Sequence, residues 1–334
     1  MAQYRTRTWK LIFGRPVNVS AGKTTNIYDS MNGPKAGSGG LYEVGSDSGP
    51  ANIEFSLKKD NSKDPNKGYV TVYNLSQDTV NFLEETQTES LAVVLEAGFD
   101  GINVQIFAGT VEKVVDEWDG PTRKTKMVFG DGVINITTSK SSRSYRKGTP
   151  LDQVVKDLVS DLGLPVGRIV KAKNKTLQYS MSFSGNTANN LRKLADNNGC
   201  TFSVQDGAAY WTVEGKRFGQ AVFEISAETG MHGSPRLKNP EGSRRRKKKG
   251  SKKSSKEDNG LVVTTELNGA ILPESTIYLK SRKYTGFYKV TEVEHKGSLE
   301  GGEWTTTMTL VEAKGGIIDE DKNNGLKKQN RYSP

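Results

Sequence analysis

The sequence is poor in the residues that build disulfides, metal centres and membrane spans. It contains one cysteine, Cys200, and two histidines, His232 and His295. One thiol excludes an internal disulfide and every multi-thiolate metal site, and two imidazoles exclude a His-rich site. No apolar stretch approaches the roughly 18 residues that a membrane helix needs. We therefore expect no metal, no cofactor and no membrane partner.

The apolar residues are few, but they are clustered. They make up 34% of the 334 residues and fall in short alternating runs, a pattern typical of several small sheets. The length predicts two or three domains. The charged segment Met1–Trp9 is not followed by an apolar core of signal-peptide length. We therefore expect synthesis in a cytoplasm, with export only as part of a larger assembly.

Nearly all of the net positive charge lies in one segment. Nine basic residues and no acid occur between positions 244 and 256, so the net charge of +10 less these nine leaves +1 for everything else. The nine are Arg244, Arg245, Arg246, Lys247, Lys248, Lys249, Lys252, Lys253 and Lys256. The run contains no aromatic residue, unlike most basic faces that bind nucleic acid. Two interpretations remain open: a solvated loop that joins two strands, or a surface that contacts an acidic partner or nucleic acid.

Residues 6–136 alternate between apolar and polar almost throughout. This period of two predicts about six strands of an antiparallel sandwich or barrel. Asn52–Lys58 alternates without exception, and residues 104–116 form a long strand in which Gly109 is placed for a bulge or bend. The one helix expected here has Ser76 as its N-cap.

The middle of the chain predicts two helices and a hairpin. Six apolar residues repeat at helical spacing over 151–162, with Thr149 as the N-cap, Pro150 at the first helical position and Gly163 at the C-terminal end. A second helix is expected over 186–198, followed by a hairpin around Asp206-Gly207. Cys200 is expected to pack beneath these helices as a small apolar group.

Alternating runs resume after residue 215, so the predicted fold class is mainly β with an inserted small α/β module. Two tube-like antiparallel β-barrel or sandwich domains would flank that module. The expected boundaries are 1–140 for the first β domain, 141–214 for the module, 215–314 for the second β domain with its basic loop at 243–257, and 315–334 for an extended tail.

The sequence offers no positive support for an enzyme. Residues 21–24 end like a phosphate-binding loop, but Val17 stands where such a loop needs its first glycine. Residues 60–71 have the oxygen ligands of a calcium loop without its glycine and glutamate in place, so a polar hairpin turn is expected. Neither histidine lies near a nucleophile and a carboxylate that would complete a catalytic triad.

Several short motifs follow one another along residues 6–312. They are YNLS at 73–76, LEAGF at 95–99, IFAGTV at 106–111, GTPL at 148–151, FSGNTANNL at 183–191, TGMHGSP at 229–235 and FYKV at 287–290. In this order, with the α/β module between β regions, the chain resembles the central baseplate-hub proteins of contractile phage tails and related injection machines.

The resemblance implies a homotrimer. Two tube-like β domains per subunit would give six quasi-equivalent domains around a channel, joining a sixfold tail tube to a threefold central spike. The implied partners are the tail tube, central spike, tape-measure and baseplate wedge proteins, with transient DNA contact in the channel. The implied location is the virion tail baseplate, after synthesis in the cytoplasm of the bacterial host. Ring formation would also cover the edge strands of such domains.

Two other functions remain as alternatives. A cell-wall hydrolase in the same particle would show muralytic activity that depends on one or two carboxylates. A nucleic-acid-binding protein acting through the basic run would lose a steeply salt-dependent affinity when residues 244–256 are deleted.

Overall fold

The structure, a computed structural model, describes residues 5–15, 28–29, 33–34, 41–46, 52–62, 64–86, 91–170, 176–213, 217–218, 222–238, 260–312 and 317–318. The first part of the chain forms strands β1 (Arg7–Gly14), β2 (Tyr28–Asp29), β3 (Gly33–Pro34), β4 (Leu41–Gly45), β5 (Ile53–Asp60) and β6 (Lys67–Tyr73), helix α1 (Gln77–Glu85), and strands β7 (Ala92–Phe99), β8 (Ile102–Asp119) and β9 (Thr122–Gly130).

The middle and the last parts of the chain supply the remaining elements. The middle forms α2 (Val133–Thr138), β10 (Lys140–Tyr145), α3 (Leu151–Leu162), β11 (Val166–Ile169), β12 (Met181–Asn186), α4 (Thr187–Asn197), β13 (Cys200–Gln205) and β14 (Ala208–Val213). The last part forms β15 (Arg217–Phe218), β16 (Val222–Ile225), β17 (Met231–Leu237), β18 (Leu261–Glu266), β19 (Thr276–Lys280), β20 (Thr285–Ser298), β21 (Trp304–Glu312) and β22 (Ile317–Ile318). Within the described residues, no helix is both long enough and apolar enough to cross a membrane.

Most strands belong to one sheet. Its order is β17-β18-β21-β20-β5-β6-β9-β8-β7-β1-β4, with β19 pairing β20 and β16 pairing β19. We call β1 and β4–β9 with α1 the N-terminal β unit, α2 to β14 the α/β module, and β16–β21 the C-terminal β unit. The predicted fold class is confirmed, because the chain is mainly β and the module with its helices is inserted between two β regions.

Strand β5 follows directly from its alternating sequence. Ile53, Phe55 and Leu57 are buried on one face, while the residues between them reach solvent. Lys59 continues the buried face and is 0% exposed, so the fourth inward position of this strand carries a charge. Burying an ammonium group is unfavourable unless it is paired, so Lys59 needs an acidic partner.

The predicted helices are present, with one correction at an N-terminus. All six apolar residues of the α3 stripe are buried, and Gly163 ends the helix with a φ of 75°. Thr149 is not the N-cap: Pro150 occupies that position, and the Thr149 hydroxyl donates to the Arg146 carbonyl at 2.8 Å. Ser76 caps α1 as predicted, accepting a hydrogen bond from the Thr79 N–H at 3.3 Å.

The two β units repeat the same arrangement of strands. In each unit one long strand, β8 or β20, changes its partner along its length and contains a bulge. Strand β8 pairs first with β7 and then with β9, and it has a bulge between Val111 and Lys113. Strand β20 pairs with β21 and has a bulge between Val290 and Glu292 in that pairing. Strand β20 also pairs first with β19 and then with β5. Strand β8 is therefore irregular at Glu112, and again at Ile106 where it pairs β7, but not at Gly109, which pairs regularly with Val93.

The buried apolar side chains form three main clusters. One fills the N-terminal β unit but also takes in Leu267 and Trp304 from the C-terminal unit. A second lies within the α/β module, where Cys200 is buried as predicted, and a third lies within the C-terminal β unit. The two β units therefore share a sheet and some apolar contacts, while most of each core belongs to its own unit.

Other differences from the sequence predictions concern short or polar elements. The turn-rich segment around His232 is strand β17, whose pairing with β18 is irregular between His232 and Arg236. His295 lies inside β20 and is fully buried. Strands β10, β11 and β12 and helix α2 were not predicted, because segments this short carry no clear hydrophobic period.

Candidate assembly surface

Strands β5 and β20 join the two β units within the chain, and we call this pairing the internal joint. They run antiparallel from the pair Glu292–Asp60 to the pair Ser298–Glu54. On the core side the Phe55 ring packs edge-on against Trp304, with centroids 5.2 Å apart. A Cβ on Gly297 would lie 2.2 Å from Phe55 Cζ, so only glycine leaves room for this ring. The internal joint is thus a close-packed pairing of two strand edges.

The solvent side of the internal joint carries alternating charges. Lys58 Nζ lies 3.0 Å from a Glu292 carboxylate oxygen, and Lys238 Nζ lies 2.9 Å from the other oxygen. Burial alone would raise the pKa of Glu292, but the two lysines lower it overall. Such partly exposed ion pairs contribute at most about 1 kcal/mol each. They therefore favour one register of the β5–β20 pairing more than they stabilise the fold.

Several strand edges of the same sheet have no partner strand among the described residues, including those of β4 and β16, and two others are alike in the side chains they carry. One is the second half of β8, residues 113–119, which pairs only β9; the other is β17, which pairs only β18. Both carry exposed apolar side chains: Trp118 is 65% exposed and Leu237 is 48% exposed. Unpaired edges of this kind are ready templates for another strand.

The β8–β9 hairpin that carries Trp118 is held firmly. The side chains of Arg123 and Asp116 are both nearly buried. Arg123 Nε lies 3.0 and 2.9 Å from the two carboxylate oxygens of Asp116, and the Thr125 hydroxyl donates to the same carboxylate at 2.7 Å. Burial would raise the pKa of Asp116, but these hydrogen bonds lower it overall. The Arg123 guanidinium carbon also lies 5.6 Å from the centroid of the Trp118 ring. The exposed Trp118 indole therefore lies on a hairpin that an ion pair and hydrogen bonds hold in place.

The solvent face of the large sheet is polar and nearly neutral. Several of its lysines are paired with acids or aromatic rings: Lys67 Nζ lies 3.0 Å from Glu112, and Lys126 Nζ lies 4.3 Å from the centroid of the Tyr69 ring. Hydroxyl groups fill much of the remainder, including the pair Thr264–Thr307 at 3.0 Å. A face of this kind is wetted by water and offers no concentrated charge of either sign.

A buried polar junction fixes the α/β module to the sheet. Lys59 Nζ lies 2.6 and 2.7 Å from the two carboxylate oxygens of Asp206, and the Ala108 N–H donates to Asp206 Oδ1 at 3.1 Å. Asp206 and Gly207 form the tight turn of the β13–β14 hairpin, with φ of 52° and 74°. The sequence predicted this turn, but not that its aspartate neutralises a lysine in the sheet.

Asp131 completes this junction. Its Oδ1 accepts a hydrogen bond from the Gly207 N–H at 2.7 Å, and the side chain is 0% exposed. Burial, and then the nearby Asp206 carboxylate, raise the pKa of Asp131 to about 7. With one carboxyl protonated, the one lysine and two carboxyls of the junction are also electrically balanced.

The described residues bring together few groups suited to catalysis. His295 is buried with Nδ1 2.9 Å from the Thr306 hydroxyl, and burial, with a smaller effect of Lys59, lowers the pKa of His295 to about 3. A cleft of about 410 Å³ opens between β7, β8 and the β13–β14 hairpin, and its one charged lining residue among those described is Asp206, which Lys59 neutralises. No cluster of three or more potential metal ligands occurs in the described part of the chain.

The nine basic residues Arg244, Arg245, Arg246, Lys247, Lys248, Lys249, Lys252, Lys253 and Lys256 lie outside the described residues. Segment 21–24 does so too. The chain enters the basic segment after β17 and leaves it before β18, where the Lys238 N–H donates to the Gly260 carbonyl at 2.8 Å. Both ends of the segment are therefore anchored at the same edge of the sheet.

The comparisons with known proteins identify the fold. No protein-family model matches the sequence, and no curated protein matches it. The chain is similar in structure to a 43 kDa tail protein of prophage MuSo2 from Shewanella oneidensis, with a TM-score of 0.54, 9% identity, and coverage of 78% of this chain and 98% of that one. It is also similar to a tail protein from Neisseria meningitidis MC58, with a TM-score of 0.52, 12% identity, and coverage of 78% and 96%.

A third similar structure belongs to a complex of two proteins. A chain of the Francisella PdpA–VgrG complex gives a TM-score of 0.56 at 11% identity, covering 98% of this chain and 55% of that one. The structural neighbours are thus phage tail proteins and a VgrG-containing complex, so the resemblance predicted from the sequence is confirmed at the level of the fold.

Proposed function

We propose that this protein is a structural component of a contractile tail: a homotrimeric baseplate hub that adapts a sixfold tail tube to a threefold central spike. The observation that carries the proposal is the repeated β unit, because three chains with two equivalent units each supply six positions in a ring. The internal joint shows how neighbouring units can share one continuous sheet. The fold of the structural neighbours supports the same role.

The solvent face of the sheet is suited to line the channel of such a ring. Its paired charges and hydroxyl groups leave little concentrated charge, which suits a surface past which other molecules must slide. On this proposal the α/β module lies outside the channel wall. The division into 1–140, 141–214, 215–314 and 315–334 is part of the proposal, and the three main apolar clusters support its first three parts.

The proposed partners follow from this position. The tail tube protein would bind one rim of the ring, the central spike protein the other, and baseplate wedge proteins the outside. The tape-measure protein, and afterwards DNA, would pass through the channel. The proposed location is the virion tail baseplate, after synthesis in the host cytoplasm.

We further propose that the basic segment contacts phosphate or an acidic partner. The segment that carries its nine charges joins β17 to β18, and nearly all of the net positive charge of the chain lies in it. Deletion of residues 244–256 should abolish DNA binding whose affinity falls steeply with salt. If the affinity and its salt dependence survive the deletion, this contact is wrong.

The hub proposal is tested by the mass and symmetry of the purified protein. Sedimentation and mass photometry over a range of concentrations should give a trimer, and electron microscopy should give a threefold ring with six similar lobes. A protein that remains monomeric at high concentration would exclude the trimer. Electron microscopy of tagged particles would locate the chain, and a label away from the baseplate would exclude the hub.

A further inference from the structure

The repetition of the two β units extends to individual residues. In the N-terminal β unit Met127 lies between Val70 and Val114; in the C-terminal unit Met308 lies between Val263 and Val293. These two rows place β6, β9 and β8 in correspondence with β18, β21 and β20.

A second row supports this correspondence. On β8 and β9 the Asp116 carboxylate accepts from the Thr125 hydroxyl at 2.7 Å, and on β20 and β21 His295 Nδ1 lies 2.9 Å from the Thr306 hydroxyl. Each pair lies two residues along its strands from the row that contains Met127 or Met308. The polar pair on the inner face is thus repeated as well as the apolar row.

By the same correspondence, the open edge of β8 matches β20, and the open strand β17 matches β5. Within the chain, β20 pairs β5 in the internal joint. We propose that the second half of β8 pairs with β17 of a second copy, forming an external joint built like the internal one. This inference rests on the proposed trimer and names the strands that would close it.

The internal joint also supplies the register of the external one. Lys296 is paired with Ser56 in the internal joint. Lys296 lies three residues after Val293 and therefore corresponds to Glu117, three residues after Val114. Ser56 pairs Tyr69 and corresponds to Arg236, which pairs Val262. The external joint therefore places Glu117 directly opposite Arg236 of the next copy, an acid opposite a base.

The neighbouring positions agree with this register. Leu57, on the closed edge, is 0% exposed, whereas its counterpart Leu237 is 48% exposed and would become buried in the external joint. Trp118 corresponds to Gly297, which is buried in the internal joint, so the indole would reach over the strand of the next copy. Asp119 falls opposite His232, a second favourable combination of residues.

The external joint connects different surfaces of two copies, so it is a head-to-tail contact. Contacts of this kind form a closed ring when the rotation between neighbours divides a full turn. Internal and external joints would alternate around the ring and leave neither the β8 edge nor the β17 edge open. Both edges would be satisfied only in the closed assembly.

Disulfide cross-linking tests the register directly. In a Cys200→Ser background, Glu117→Cys combined with Arg236→Cys should give covalent dimers and trimers on oxidation, because directly opposed residues have Cα atoms within disulfide range. Asn103→Cys combined with Arg236→Cys is the matched control, since Asn103 lies in the half of β8 that already pairs β7. If the control cross-links as readily as the designed pair, or if neither cross-links in a trimeric protein, the external joint is wrong.

Charge reversal gives a second test that needs no disulfide. Glu117→Arg or Arg236→Glu alone should weaken trimer formation by at least about tenfold, and the double variant should recover most of it. Glu85→Arg, on the exposed side of α1, should leave assembly unchanged. If the wild-type protein is a trimer and neither single charge reversal weakens it, the external joint is wrong, but the hub proposal still stands. A wild-type protein that never forms trimers would refute the hub itself.

Discussion

Replacing Lys59 tests whether the buried polar junction holds the α/β module to the sheet. Lys59→Met keeps the length and apolar stem of the side chain and removes the ammonium group. Asp206 then loses contacts of 2.6 and 2.7 Å and remains in a nearly buried site beside Asp131. Removing one partner of a buried ion pair typically costs about 3–5 kcal/mol, because it leaves an uncompensated charge. We expect a loss of that size in the free energy of unfolding at neutral pH.

The neighbouring lysine provides the matched control. Lys58 lies one residue earlier on the opposite face of β5, and its side chain is 55% exposed and 3.0 Å from Glu292. Lys58→Met should therefore cost less than about 1 kcal/mol. Urea unfolding followed by far-UV circular dichroism measures both variants, and Lys59→Met combined with Asp206→Asn should recover part of the loss. If Lys59→Met costs no more than Lys58→Met, the junction does not stabilise the fold as described here.

Three further substitutions test neighbouring features. Because the pKa of Asp131 is raised to about 7 in the folded protein, its protonation stabilises the fold below about pH 4, and this stability is lost as the pH rises through 7, by up to about 1.4 kcal/mol per pH unit. Asp131→Asn should flatten this slope in urea unfolding between pH 4 and 7, and an unchanged slope would contradict the assignment. Because the pKa of His295 is lowered to about 3, the unfolded chain takes up a proton below pH 6.5 that the folded chain refuses; His295→Gln should reduce the loss of stability as the pH falls from 6.5 towards 3. Gly297→Ala should destabilise the internal joint by about 1–3 kcal/mol through its clash with Phe55, and Phe55→Leu in the same chain should recover part of that loss in thermal unfolding.

Much of the local structure could be predicted because each element repeats its hydrophobic pattern over several turns or pleats. The α3 stripe and the alternation in β5 are both long enough to be unambiguous, and the Asp206-Gly207 turn has a strong local preference. Strand β17 was missed because its glycine and proline interrupt the alternation. Glycine and proline are typical of an edge strand, so the residues that obscured the strand pattern also indicate that β17 lies at an edge of the sheet.

The polar junction could not have been assembled from the sequence alone. The alternation predicted from the sequence ended at Lys58, and the inward position of Lys59 and its need for a partner emerged only from the structure. Nothing local indicates that Asp206 supplies the carboxylate, because the two residues meet only through the docking of the α/β module on the sheet. The same holds for the pairing of β5 with β20, which depends on tertiary contacts and not on propensity.

The internal joint has a consequence for synthesis on the ribosome. Strand β5 emerges early, but its partner β20 is translated only after the whole α/β module and most of the C-terminal β unit. Throughout that interval the nascent chain exposes an edge rich in apolar residues, which is prone to aggregate with other chains. The slow step in folding is therefore expected to be the closure of this distant pairing, and chaperone binding should be strongest on chains that end before residue 292.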